Sequence, residues 1–223
     1  KQKRRDVVHA VEESNVIHIY SWSKHMNYLN VSIGFPKIKP EVEYDPAGWL
    51  CGDTKKNLLR AIKQTDPTVI CEIGSWLGLS SRFLVNESDA QVYCLDHWKG
   101  SVEHKHEKHA HKLPLLWETF CMNNWGYKER IIPVKADSED GLSWLFREGI
   151  EPDIFYVDGS HEYADVKRDI VFISEYWPDA VIVGDDYTWD GVHNAVHDCS
   201  KLLNKRLHVE GRKSWAFFNE GPK

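Results

Sequence analysis

Five short apolar runs rich in β-branched residues recur along the chain, and a segment with helical spacing of apolar positions follows each of them. The runs are TVICEIG (68–74), QVYCLD (91–96), RIIPVKAD (130–137), DIFYVDG (153–159) and AVIVGDD (180–186). Nearly continuous apolar strands that alternate with helices indicate an α/β fold, in which helices cover both faces of a parallel sheet. The segment SWAFFNE (214–220) predicts one further strand, for which an antiparallel direction is left open.

The first part of the chain has a different character. It contains GFPKIKPEVEYDP (34–46), which is rich in proline and charge and has no helical or strand periodicity. We therefore predict an N-terminal extension over residues 1–47, which either caps an active site or simply packs on the core. Residues 48–223 have the length of one domain with a full-sized core. Because the chain begins at Lys1, a place in a larger multidomain protein stays open. A homo-oligomer is also left open.

Composition restricts the classes of partner. A net charge of -6 argues against nucleic-acid binding, and we expect the basic cluster KQKRR (1–5) to be a solvated arm. No apolar run approaches membrane-spanning length, so no membrane contact is expected. The histidine-rich segment HWKGSVEHKHEKHAHK (97–112) fits no common zinc spacing and predicts a polar lid. An odd number of cysteines without C-x-x-C predicts reduced thiols and a cytoplasmic location. These are Cys51, Cys71, Cys94, Cys121 and Cys199.

The first predicted strand ends in a glycine-containing turn, CEIGSWLGLSS (71–81). Gly74 permits a tight turn, and Gly78 lets the next helix begin close to a ligand, with its N–H groups facing it. The G-x-G-x-x-G pattern is absent, and Trp76 would crowd a pyrophosphate, so a dinucleotide is disfavoured. Asp96 ends the next strand about twenty residues further on, where a carboxylate accepts both hydroxyl hydrogens of a ribose. The pattern predicts a ribose-bearing cofactor.

Three carboxylates follow the last two parallel strands. Asp158 ends the fourth strand, and Asp185 and Asp186 end the fifth. If these strands are neighbours, the acids converge, and their mutual repulsion requires a cation. Ligands that are all oxygen favour Mg²⁺ first, then Mn²⁺ or Ca²⁺. The alternative, in which one acid caps a helix and another pairs with Lys167 or Arg168, accounts for one acid better than for three.

Four of these stretches together resemble a known family. GDTKKNLLRAI (52–62) and ICEIGSWLGLSS (70–81) resemble class I S-adenosylmethionine methyltransferases, specifically the metal-dependent catechol O-methyltransferase group. DGSHEYADVKRDI (158–170) and VIVGDDYTWDGVHNAV (181–196) are more similar to bacterial sugar O-methyltransferases of the macrocin type. The resemblance covers roughly residues 49–196.

This resemblance implies a Rossmann-like class I methyltransferase fold with a mostly parallel, seven-stranded sheet, and it assigns residues 48–223 to the methyltransferase domain. It implies S-adenosyl-L-methionine as methyl donor and Mg²⁺ or Mn²⁺ as metal. The acceptor would be a small molecule or glycan, and a sugar with a vicinal diol, such as a deoxyhexose of a glycan or glycoside, is expected. Two alternatives remain: a catechol or phenol as acceptor, and a hydroxylase of the cephalosporin type.

The resemblance also implies roles for single residues. Ser80 would hold the methionine carboxylate, Asp96 the ribose, and Asp137 with Ser138 the edge of the adenine. Trp98 would lie against the adenine or, alternatively, anchor a lid. The other implied cofactor contacts are Cys51, Glu72, Gly74, Ser75, Gly78 and Asp158.

His161 stands where the catechol enzymes carry a catalytic lysine, three residues after the first metal-binding acid. Asp185 and Asp186 stand where those enzymes carry Asp-Asn. A histidine takes up a proton near neutral pH without a large pKa shift, so we predict that His161 is the general base. The alternatives are that it binds the metal or orients Asp158. In either case Asp158, Asp185 and Asp186 are the expected metal ligands.

Overall fold

The structure, a computed structural model, describes residues 29–101 and 110–219. The strands are β1 (Ser32–Ile33), β2 (Val69–Ile73), β3 (Gln91–Asp96), β4 (Ile131–Lys135), β5 (Ile154–Val157), β6 (Val181–Gly184), β7 (Leu207–Glu210) and β8 (Ser214–Phe217). The α-helices are α1 (Gly52–Thr65), α2 (Leu79–Glu87), α3 (Leu116–Asn124), α4 (Ser138–Arg147), α5 (Tyr163–Tyr176) and α6 (Asp190–Leu202). Two 3₁₀ turns, Ala110–Leu115 and Trp125–Tyr127, flank α3.

The strands form one mostly parallel sheet in the order β1-β4-β3-β2-β5-β6-β8-β7. Strands β2 to β6 are mutually parallel, whereas β1 and β8 run antiparallel to their neighbours β4 and β6. The Rossmann-like α/β prediction is confirmed, and the last strand is antiparallel. The sheet has eight strands rather than seven, because Ser32 and Ile33 pair with Lys135 and Val134 at one edge.

The strand order reverses between β2 and β5, so the chain builds outward in opposite directions from this pair. In open α/β sheets, ligands bind at such a switch point, beyond the carboxyl ends of the strands. Here the ends of the two strands meet closely. A Cβ at Gly74, which has φ 88°, would collide with the backbone carbonyl of Asp158. Glycine is therefore required at the crossing of the two strand ends.

The core lies on both faces of the sheet. The strand side chains Tyr156, Phe155 and Trp215 are fully buried. Tyr156 belongs to one cluster with Leu58 of α1 and Phe120 of α3, whereas the Phe155 ring contacts Trp177, just after α5, at a centroid distance of 5.0 Å. Burial of one such aromatic or leucine side chain stabilises the fold by about 1.5–3 kcal/mol. This packing holds the strand ends in place, and with them the polar residues that follow each strand.

The predictions about the N-terminal extension, the lid, the cysteines and the membrane can be compared with the described residues. Residues 31–101 and 110–219 belong to one compact unit. Most of the predicted extension (1–47) and part of the predicted lid (102–109) lie outside the described residues, so both stay predictions, as does the basic arm. All five cysteines are free thiols, as expected. In the described ranges, no helix combines the length and the apolarity needed to cross a membrane.

Candidate active site

The turn after β2 wraps around the carboxylate of Asp96. The backbone N–H groups of Ser75 and Trp76 donate to its Oδ2 at 3.0 and 2.9 Å, and the N–H of Trp98 donates to Oδ1 at 2.6 Å. Because a carboxylate has about four acceptor positions, Asp96 keeps capacity for a further donor. The structure thus places Asp96 where it was predicted, beside the glycine turn, and shows that it also holds that turn.

Glu72 supports the same turn from below. Its side chain is fully buried, and the hydroxyls of Ser75 (2.7 Å) and Ser81 donate to Oε2. Burial raises the pKa of Glu72, while the hydroxyls of Ser75, Ser80 and Ser81 lower it. Its other oxygen, Oε1, has no hydrogen-bond partner among the described residues. Glu72 and Ser80 are both buried beneath the turn, and their predicted contacts with the cofactor stay predictions.

Trp98 is anchored by a hydrogen bond and by ring contacts, and its predicted position against the adenine stays a prediction. Only 5% of the residue is exposed, and its indole N–H donates to the carbonyl of Trp76 at 2.9 Å. Its ring packs against Trp117 and Phe120, each at a centroid distance of 4.7 Å. These contacts fix the segment after β3 to α3 and to the glycine turn.

The two residues predicted at the adenine edge face different ways. Asp137 occupies the N-cap position of α4 without a side-chain capping hydrogen bond, and it is exposed, with its Oδ1 3.9 Å from Lys99 Nζ. Ser138 instead donates its hydroxyl to Asp169 at 2.9 Å and accepts from Arg168 at 3.0 Å. The Ser138 hydroxyl therefore makes its hydrogen bonds with residues of α5. Of these two residues, only Asp137 is exposed to solvent.

The three acids come together at the carboxyl ends of β5 and β6. A cavity is lined by Val157, Asp158, Ser160, His161, Val166, Asp185, Asp186, Val192 and Trp215. The pKa of Asp158 lies well above its usual value, because burial disfavours the charge and Asp185 and Asp186 repel it. Burial also raises the pKa of Asp185, and the N–H of Asp186 opposes this by donating to Asp185 at 2.8 Å.

Two aromatic residues hold these acids. The hydroxyl of buried Tyr156 donates to Asp158 Oδ2 at 2.9 Å. The indole N–H of Trp215 donates to the backbone carbonyl of Asp185 at 3.0 Å. A Cβ at Gly184 would collide with the Trp215 indole, so glycine at the end of β6 makes room for this anchor. Neither anchor was predicted: Tyr156 reaches two residues along the end of its own strand, and Trp215 reaches Asp185 from the neighbouring strand β8.

His161 pairs with Asp186 rather than with Asp158. Its Nε2 lies 2.8 Å from Asp186 Oδ2. Its ring stacks on Trp189, with centroids 4.2 Å apart and planes inclined by 15°. Asp186 adopts φ 56°, a left-handed conformation that aspartate tolerates better than most residues. The imidazole is thus held on one edge by a carboxylate and on one face by an indole.

The expected metal site is not confirmed. Within residues 29–101 and 110–219, no group of three or more His, Cys, Asp or Glu side chains is placed to hold a metal ion. Each of the three carboxylates accepts one hydrogen bond: Asp158 from Tyr156, Asp185 from the Asp186 N–H, and Asp186 from His161. Lys167 and Arg168 do not pair with these acids: Lys167 donates to Tyr163, and Arg168 to Asp165 and Asp169.

Comparison with known proteins decides the family. The model of a family described as "Methyltransferase domain" (Methyltransf_24) matches residues 71–187, from β2 to the turn after the paired acids. The chain belongs to this methyltransferase family. The matched region contains the glycine turn, Asp96, the three acids and His161 of this methyltransferase. A search of curated proteins gives no match.

Solved methyltransferase structures share the fold. They include an O-methyltransferase from Bacillus cereus in complex with SAH (18% identity, TM-score 0.53), which aligns over 78% of this chain and 84% of its own. TomG from Streptomyces achromogenes in complex with SAM aligns over 77% and 82% (16%, TM-score 0.57). The calicheamicin methyltransferase CalS11 aligns over 75% and 78% (15%, TM-score 0.52). At these identities the structural likeness establishes the fold. The acceptor substrate has to be inferred from the residues of the site.

Proposed function

We propose that this methyltransferase is an S-adenosylmethionine-dependent O-methyltransferase whose acceptor is a hydroxyl of a sugar with a vicinal diol. The observation that carries the proposal is the His161–Asp186 pair, 2.8 Å apart, at the carboxyl ends of β5 and β6, on one side of the switch point. A histidine oriented by a carboxylate is a general base, and O-methylation requires removal of one hydroxyl proton. The described neighbour CalS11 is a TDP-rhamnose 3'-O-methyltransferase, which supports the sugar class.

The residues around the glycine turn fit the methyl donor. Asp96 retains acceptor capacity for ribose hydroxyls, and the buried Glu72 Oε1 is an unpaired acceptor that suits a donor such as an ammonium group. The B. cereus enzyme is in complex with SAH and TomG with SAM, which supports the same ligand here. When bound, S-adenosylmethionine supplies a methyl group on a positively charged sulfur. Five free thiols favour a cytoplasmic location for this chemistry.

The proton path follows from the hydrogen bonds of His161. Asp186, as a carboxylate, only accepts, so His161 Nε2 carries the hydrogen between them and Nδ1 keeps its lone pair. We assign Nδ1 as the atom that takes the proton from the acceptor hydroxyl. Asp186 fixes the tautomer and stabilises the imidazolium that forms, while the hydroxyl oxygen forms its bond to the transferred methyl carbon.

The acid cluster also fits a hard divalent cation by its chemistry, since its donors are carboxylates that destabilise one another. In this proposal, Asp158, Asp185 and Asp186 hold Mg²⁺ or Mn²⁺. When bound, such a cation would neutralise the acids and lower the pKa of an acceptor hydroxyl. A neighbouring acceptor hydroxyl would give it a second oxygen, which is why a vicinal diol is the proposed acceptor.

The direct test is transfer of an isotopically labelled methyl group, followed by mass spectrometry. The acceptors are methyl α-rhamnopyranoside, its deoxy analogues that lack one hydroxyl of the diol, and catechol. We expect transfer to the rhamnoside and a loss of orders of magnitude with the deoxy analogues, because a site built for a hydroxyl rejects a ligand that lacks it. A strong preference for catechol would move the proposal to a phenolic acceptor. Equal rates for diol and deoxy sugar would remove the diol argument.

Replacing Asp96 with alanine is expected to weaken binding of S-adenosylmethionine about 10- to 100-fold. A hydrogen bond to a charged group contributes about 1.5–3 kcal/mol, and the variant also frees the N–H groups of Ser75 and Trp76. Isothermal titration calorimetry measures the affinity. Asp89→Ala, at a fully exposed acid that lies 3.6 Å from Arg130, is the matched control and is expected to bind normally. Tight NAD binding without S-adenosylmethionine binding would sink the assignment.

A further inference from the structure

Trp189 is an exposed tryptophan that touches the proposed base. It follows the paired acids at the start of α6, and 46% of it is exposed. One face of its indole stacks on the His161 imidazole at a centroid distance of 4.2 Å. An indole has two fused rings and an imidazole only one, so part of that face extends past the edge of His161. The exposed apolar surface therefore adjoins the base directly.

This indole sits on a rigid support. The backbone N–H of Trp189 donates to the carbonyl of Asp186 at 2.9 Å, and its own carbonyl accepts from the N–H of His193 at 2.8 Å. A Cβ at Gly191 would collide with the carbonyl of His161, so the base and the first turn of α6 are in direct backbone contact. A pre-organised aromatic side chain loses little conformational freedom when a ligand packs on it.

We propose that Trp189 is the acceptor platform: a pyranose ring rests its C–H face on the exposed part of the indole and thereby brings a ring hydroxyl to the edge of His161. The inference rests on the proposed O-methyltransferase function and adds a ring requirement to it. Aromatic faces favour flat apolar partners, and the axial C–H face of a pyranose is one. An open-chain diol offers no such face, although it carries the same two hydroxyls.

The test distinguishes two roles of Trp189: binding the acceptor ring, and only positioning the His161 imidazole. Trp189→Ala and Trp189→Phe are compared with the wild type on methyl α-rhamnopyranoside and on 1,2-propanediol. We expect Trp189→Ala to raise KM for the rhamnoside about tenfold, the equivalent of one stacking contact, with KM for the propanediol unchanged. Trp189→Phe, which keeps an aromatic face, should retain most of the affinity. Leu202→Ala, at a 56% exposed residue in the last turn of the same helix, is the control and should behave as wild type.

Other outcomes overturn the inference. An equal fall in kcat for both acceptors with unchanged KM values would mean that Trp189 only positions His161. If the wild type transfers no methyl group to any acceptor, the proposed function fails. Calorimetry of methyl rhamnoside binding in the presence of S-adenosylhomocysteine then shows whether Trp189 still binds the sugar ring. Weaker binding by Trp189→Ala than by wild type supports the inference. Equal binding, or none by the wild type, rejects it.

Discussion

Replacing His161 with alanine is expected to lower turnover by about 10²–10⁴-fold, the usual cost of losing a general base. Binding of S-adenosylmethionine should be nearly unchanged, since the imidazole contacts Asp186 and Trp189 rather than the glycine turn. Turnover is measured by mass spectrometry of the methylated product, and cofactor affinity by calorimetry. Raising the pH should partly rescue the variant, because the acceptor hydroxyl then loses its proton to solvent.

The controls for this prediction follow from the pairing with Asp186. His193→Ala removes an exposed histidine from α6 and is expected to leave turnover unchanged. Asp186→Asn keeps the size of the side chain but not its charge, so it should lower turnover in the wild type and add little to His161→Ala, since the two residues act as a unit. Turnover of His161→Ala within about twofold of wild type, without pH rescue, would remove His161 from the proton path.

Much of the sheet could be predicted because each of its central strands is a continuous apolar run in the sequence. The apolar runs of β2 to β6 agree with the observed strands to within about two residues, because a strand buried on both faces is apolar throughout. Strands β1 and β7 were missed for the converse reason. Ser32–Ile33 is too short for any periodicity and exposed, and Leu207–Glu210 is only half-buried at the other edge of the sheet. Their pairing is decided by neighbours distant in sequence.

The sequence predicts the place of a site residue when that residue directly follows a parallel strand. Asp158 and Asp185 line one cavity because parallel strands end at the same edge of the sheet. Position alone does not show whether a polar side chain next to the turn faces a ligand or the core: Glu72, in β2, and Ser80, in the first turn of α2, are both buried. The His161–Asp186 pair joins residues 25 positions apart. Only the fold shows that Asp186, and not Asp158, is the partner.

Removal of divalent cations with excess EDTA is expected to abolish methyl transfer, and Mg²⁺ or Mn²⁺ should restore it. The physical reason is the repulsion among the three acids, which raises the pKa of Asp158 on top of the effect of its burial. Asp158→Ala and Asp185→Ala should each lose activity that added metal does not restore. Cofactor affinity should be largely intact, because Asp96 and the glycine turn are untouched. Rates are measured on the rhamnoside after dialysis, with Asp89→Ala as the control acid.

The hydrogen bonds of the acids decide how this experiment is interpreted. Asp158 accepts from Tyr156, so Tyr156→Phe frees one carboxylate oxygen without adding or removing a charge. If the acids hold a cation, this variant should still depend on the metal, with a changed concentration for half-maximal reactivation. Suppose instead that the wild type keeps full activity in EDTA after removal of an exchangeable metal has been demonstrated. That result would reject the metal role and assign proton transfer to His161 and Asp186 alone.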